Sequence, residues 1–201
     1  MVSSSNDETP HSIFCRGWIV PGGNVATMAG EVTFIGGRSG VGKTSVGHEM
    51  HAQLRAMDVA HCVIDGDFLD MAHPTPWEHG LAERNLSAMW SNYQALGYNR
   101  LIYTNTVCVL PTVMDSLLQA MGRDVETVAV LLTCTETTAR KRLGQRVKGS
   151  ELGRHIDSSA QMAVTLESRC PTTVHRIATD TRPVRLVAAD VIRLTAWIPS
   201  Q

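Results

Sequence analysis

The sequence predicts an α/β fold in three layers: a five-stranded parallel sheet with helices on both faces and a helical lid. Three observations carry this. From Glu31 onward, short apolar runs alternate five times with helical runs. A glycine-rich turn, GGRSGVGKTS at 36–45, joins the first such run to the first helix. The run TVAVLLTC at 127–134 is apolar without alternation, as a strand covered on both faces must be. Strands that alternate with helices form parallel sheets because each crossover lays its helix on a sheet face.

The elements follow in order. EVTFIGG (31–37) reads as a strand ending in glycines, and TSVGHEMHAQLRAM (44–57) as a helix. HCVID (61–65) is the second strand. A helical pattern runs from about Glu78 to Leu96 through Leu81, Leu86, Met89 and Tyr93. RLIYTNTVCVL (100–110) contains the third strand, and TVMDSLLQAM (112–121) places Val113, Leu117 and Met121 on one helix face. After the fourth strand come two helices, TETTARKRLGQR (135–146) and HIDSSAQMAVTLES (155–168). VHRIAT (174–179) is the fifth strand. The last helix starts at Pro183 and carries Val184, Val187, Val191 and Leu194 on one stripe. Residues 1–30 are expected to be an N-terminal extension, disordered over its polar start, with 11–30 as an added edge element. The domain is expected over 31–197, with its lid at about 140–156.

Composition excludes several classes. The net charge of -1 gives no basic footprint for nucleic acid, and no run is apolar enough to span a membrane. The start lacks the basic-then-apolar order of a secretory signal. Five scattered cysteines, an odd number, suit reduced core residues better than disulfides or zinc. A cytoplasmic location is expected.

The turn at 36–45 holds the first chemistry. Gly37, Gly42, Lys43 and Thr44 fit GxxxxGK[ST], the Walker A form, between a strand and a helix. Glycines let backbone close on a polyphosphate, N–H groups form an anion nest, and the helix N-terminus adds partial positive charge. Lys43 reaches the phosphates, and the Thr44 hydroxyl reaches Mg²⁺. Arg38, Ser39, Gly40, Val41 and Ser45 complete the cradle. No N/T-K-x-D element for guanine is present, so ATP is the expected nucleotide.

The second strand ends in VIDGDFLD (63–70), with three aspartates in six positions. Strand alternation would point Asp65 and Asp67 the same way, with Gly66 opposite and leaving room for an acceptor. The pair is expected at the carboxyl end of the sheet, facing the cradle. One carboxylate could hold Mg²⁺ and the other could take a hydroxyl proton. A solvated strand end is the plainer alternative.

A cradle of form GxSGxGKT followed by a strand ending in D-G-D resembles the small P-loop kinases, among them adenylylsulfate kinase, shikimate kinase, gluconate kinase and chloramphenicol phosphotransferase. The resemblance covers most of 31–195. It implies a P-loop NTPase fold, ATP and Mg²⁺, Asp67 as the base or acceptor-orienting residue, and Thr44 with Asp65 on the metal side. The chain reads Phe68-Leu69-Asp70 where adenylylsulfate kinases carry a basic residue.

In such kinases a helix–loop–helix after the fourth strand is a lid that brings arginines to the transferring phosphate. Arg142 and Arg146, four residues apart on one helix face, are the candidates here; Lys148 and Arg154 are weaker ones. An ordinary solvated basic face is the alternative. Residues 71–90 lie where these kinases build the acceptor pocket, with Trp77, Trp90 and Tyr93 available for stacking, unless they are core, and Arg84 for an anion. Thr104, Asn105 and Thr106 would line the γ-phosphate side, and Thr179–Pro183 the adenine side. His48 and His51 read as surface or packing residues. The function expected is an ATP-dependent kinase acting on a hydroxyl of a small molecule, as monomer or homodimer. The alternative is a P-loop ATPase or nucleotide switch acting on a protein partner.

Overall fold

A computed structural model describes residues 29–146 and 151–198. The expected extension, but for residues 29 and 30, and Lys148 of the expected lid lie outside the described residues. Five strands form the sheet: β1 (Gly30–Gly36), β2 (Cys62–Asp65), β3 (Arg100–Thr104), β4 (Val125–Thr133) and β5 (His175–Ala178). All pairings are parallel, in the order β2-β3-β1-β4-β5. From β1 the chain crosses to β2 at one edge, returns to β3 beside β1, and then passes β1 to β4 and β5, so the carboxyl ends of β1 and β3 lie side by side at the crevice beyond the sheet. That is where ligands of such sheets sit.

The six helices are α1 (Lys43–Ala56), α2 (Leu81–Ala95), α3 (Pro111–Met121), α4 (Glu136–Arg146), α5 (Glu151–Arg169) and α6 (Val184–Leu194). Side chains of β1 alternate between two cores. Val32 and Phe34 join Leu86 and Trp90 of α2, Leu117 and Met121 of α3 and Leu166 of α5. Ile35 joins Val46, Met50 and Leu54 of α1 and Val187, Val191 and Ile192 of α6. This is the three-layer arrangement expected.

Local differences have plain causes. Helix α2 begins at Leu81 because Gly80 is left-handed (φ 56), which detaches Trp77–His79 as a single 3-10 turn. Strand β4 is buried only in its second half; Glu126 and Thr127 are exposed, which the unbroken apolar reading of 127–134 did not anticipate. Helix α5 starts at Glu151, before the expected His155. Cys62, Cys108 and Cys170 are buried free thiols and Cys134 a half-buried one. Among the described residues, no helix is long and apolar enough to cross a membrane.

Candidate active site

The cradle is set by the junction of β1 and α1. Gly42 precedes the helix at φ 107, a conformation that costs other residues strain. The Gly37 N–H donates to the Thr106 carbonyl (3.1 Å), tying the loop to the chain after β3. Lys43 is 8% exposed, and no carboxylate lies within 4.0 Å of it among the described residues. Burial lowers its pKa, opposed by the charges of Asp67 and Asp65 and assisted by Arg146. A buried ammonium without an ion pair, at a glycine-rich loop before a helix, fits a polyphosphate.

Thr44 Oγ1 donates to Asp65 Oδ2 at 3.0 Å. The two side chains expected to hold Mg²⁺ are thus in contact. The described residues contain no cluster of three or more metal-binding side chains. A Mg²⁺ bound mainly through phosphate oxygens and water needs only one or two protein ligands, so this pair fits it.

Asp65 and Asp67 meet by a route other than strand alternation. Strand β2 stops at Asp65, and Gly66–Phe68 turns into a 3-10 helix. Asp65 Oδ1 caps that turn by accepting from the Asp67 N–H (3.2 Å). The expectation that Gly66 leaves room for an acceptor is not met: the residue is buried, and a β-carbon there would lie 2.3 Å from the Tyr103 hydroxyl. The glycine instead lets the tyrosine close the floor beneath the aspartates.

Asp67 is exposed toward the crevice and is held from one side. Asn105 Nδ2 donates to Asp67 Oδ1 at 2.9 Å, while Asn105 Oδ1 accepts from the Val107 N–H at 3.0 Å. The backbone contact orients the amide so that its N–H faces the carboxylate. Lost solvation pushes the Asp67 carboxyl above the ordinary range; Lys43 opposes this, Asp65 adds to it, and the Asn105 hydrogen bond opposes it. Next to Asp67 lies a cavity of about 510 Å³. Asp70, Trp77, Glu83, Tyr103 and Asn105 give its polar and aromatic wall; Val107, Val113 and Leu117 give its apolar floor.

The remaining expectations divide. Trp77 stands 74% exposed at this cavity. Trp90, however, is 1% exposed and belongs to the core, and Tyr93 packs edge-on to Tyr98 along a different groove. Arg84 lines an adjoining groove with Ser87, Ser116 and Gln119, and Glu83 borders both that groove and the cavity. Thr104 is buried at the end of β3, with its methyl group turned toward Gly47 of α1. His48 and His51 are exposed, and His51 Nδ1 meets His61 Nε2 at 2.9 Å.

Two arginines brace the cradle from behind. Arg38 turns its side chain away from the phosphate position: it is 5% exposed, with Nε donating to Ser159 Oγ (2.8 Å) and Nη1 paired with Glu136 (2.6 Å). Ser159 Oγ in turn donates to the Ser39 carbonyl (2.8 Å). Any contact of Arg38 with phosphate therefore falls to its backbone. Arg142 Nη1 donates to the Val41 carbonyl (3.0 Å) and Thr179 Oγ1 (2.9 Å), and Nη2 to the Thr179 carbonyl (2.9 Å). Its donors are engaged beneath the loop. Arg146, one turn later, is exposed, and its charge is felt at Lys43. Asp180 accepts from the Thr135 N–H and from the hydroxyls of Thr135 and Thr138, fixing the start of α4.

No family model and no curated protein sequence matches the chain. Solved structures do. The APS kinase of Mycobacterium tuberculosis, in complex with AMPPNP and APS, is 18% identical with a TM-score of 0.55, covering 83% of this chain and 97% of that one. The tunicamycin resistance protein of Deinococcus radiodurans is 17% identical with a TM-score of 0.59, covering 84% and 97%. Shikimate kinase from Acinetobacter baumannii, in complex with shikimate, is 12% identical with a TM-score of 0.50, covering 82% and 92%. At these identities the likeness is one of fold: the chain has the three-layer P-loop fold that these proteins share.

Proposed function

We propose that the protein is an ATP-dependent phosphotransferase that moves the γ-phosphate of ATP to a hydroxyl of a small molecule, such as a metabolite, a nucleotide derivative or an antibiotic. One observation carries the reading. Asp67, held by Asn105, stands between a buried, unpaired Lys43 and a cavity large enough for a small molecule. That solved structures of the same fold include kinases of small molecules supports the reading further.

The residues take these roles. The free backbone N–H groups of the loop that Gly37 opens and Ser45 ends, Arg38 included, and the Lys43 ammonium hold the phosphates of ATP. Thr44 and Asp65 would hold Mg²⁺, which when bound neutralises charge on the phosphate oxygens. Asp67 accepts a hydrogen bond from the acceptor hydroxyl and aims its oxygen at the γ-phosphorus. As the new P–O bond forms, the bond from the γ-phosphorus to the bridging oxygen breaks. ADP leaves with that electron pair, and the hydroxyl proton passes to Asp67. Arg146 stabilises charge spread over the transferring group, and Arg142 positions the cradle.

The test is transfer of γ-³²P from ATP to a panel of hydroxyl metabolites, nucleosides and antibiotics, read beside Asp67→Asn. The expected result is a labelled small molecule with the wild type and its loss in the variant. ATP hydrolysis that rises only with a protein partner, and ignores Asp67, overturns the reading.

A further inference from the structure

We propose that the acceptor is cationic: a small amino alcohol or aminocyclitol whose ammonium group sits between Asp70, Glu83 and the Trp77 ring while a hydroxyl meets Asp67. This rests on the kinase reading and narrows its substrate class.

Three carboxylates line the cavity, and among the described residues no Lys, Arg or His does. Asp67, Asp70 and Glu83 take part in none of the seven ion pairs found there. Asp70 and Glu83 are half-buried, so their charges are less screened than on an open face. Their field is felt on neighbouring groups. The Tyr103 hydroxyl, raised first by burial and then by Cys108, is raised further by Asp67, Glu83 and Asp70. Like charges gathered in a cleft without ion-pair partners favour a ligand of opposite charge and repel one of the same sign.

The aromatic wall fits the same ligand. Trp77 is exposed yet faces a cavity, on a turn fixed by the His79 N–H to Pro76 carbonyl hydrogen bond (3.0 Å). An indole face beside carboxylates attracts ammonium groups through its ring quadrupole. Arg84, which could offset only one of the three charges, lines the adjoining groove that Glu83 also borders. A carboxylate acceptor such as shikimate or gluconate would meet repulsion from Asp67, Asp70 and Glu83 together.

The experiment compares ethanolamine, choline and spectinomycin with glycerol, myo-inositol and chloramphenicol, and with shikimate and gluconate, by ADP release. Binding of each to the AMPPNP-loaded protein is measured by calorimetry. Cationic acceptors are expected to exceed neutral ones about tenfold or more in kcat/KM. The double variant Asp70→Asn, Glu83→Gln, shown folded by its melting curve, should shrink that ratio about tenfold. Turnover confined to neutral or anionic acceptors overturns this inference and leaves the kinase reading standing. If nothing is phosphorylated, the kinase reading fails and calorimetry decides the cation site. Binding of spectinomycin or choline that is lost in the double variant upholds it, and absence of binding rejects it.

Discussion

Arg142 and Thr179 are joined twice, side chain to side chain and side chain to backbone, each at 2.9 Å. Because the same guanidinium also reaches the Val41 carbonyl at 3.0 Å, it ties helix α4, the cradle and the loop after β5 together. The arginine one turn later has no such duty, which separates two residues that look alike in sequence.

Arg142→Ala should therefore cost about 2 kcal/mol of stability, since it strips charged donors from carbonyls beneath the loop. Arg146→Ala, at an exposed position, should stay within about 0.5 kcal/mol of the wild type yet lower kcat strongly. Urea denaturation and steady-state kinetics on both variants check this. Equal stability losses would show that α4 does not brace the cradle.

Asn105→Ala should free Asp67 to rotate. The expected loss is about tenfold or more in kcat with ATP affinity unchanged, because the contact matters only for aiming the acceptor. Kinetics paired with ATP titration separate the two. A loss in ATP affinity alone would place Asn105 in the nucleotide site instead.

Asp67 gives a signed pH prediction. Desolvation first, and the Asp65 charge after it, hold its folded pKa above the unfolded one. The native state then binds the proton more tightly than the unfolded chain, so this group withdraws stability as pH rises through the unfolded value. Asp67→Asn should melt higher than the wild type at pH 7, with the difference gone near about pH 3, where both chains carry a neutral side chain. Melting curves at the two pH values decide it; a lower Tm at pH 7 contradicts the electrostatic reading.

Gly66→Ala should destabilise by about 1–3 kcal/mol, because the added methyl meets the Tyr103 hydroxyl at 2.3 Å and the ring must shift. Both residues line the acceptor cavity, so acceptor KM should rise more than ATP affinity falls. Unchanged melting would mean that the floor yields freely.

Much of this was legible in the sequence wherever local pattern decides structure. The alternation of strands and helices, the cradle at 36–45 and the closeness of Asp65 and Asp67 depend on neighbours along the chain. What was not legible depends on partners far away. Arg38 reads as a cradle residue, but its side chain is claimed by Ser159, 121 positions on. Asn105 reads as a small polar lining residue; its grip on Asp67 follows from the parallel pairing that sets Thr104 opposite Asp65. Gly66 reads as room for a ligand until Tyr103 fills that room. Trp77 and Trp90 have the same chemistry, and only the left-handed Gly80 places one at the cavity while α2 buries the other.

The central claim is that Lys43 and its loop bind the phosphates of ATP, and calorimetric titration with ATP and Mg²⁺ tests it most directly, without any known acceptor. The wild type should bind one ATP, and Lys43→Ala, melting as the wild type does or higher once its desolvated charge is gone, should bind at least about tenfold more weakly. A wild type that gives no binding, or a variant with the same affinity, would contradict the account.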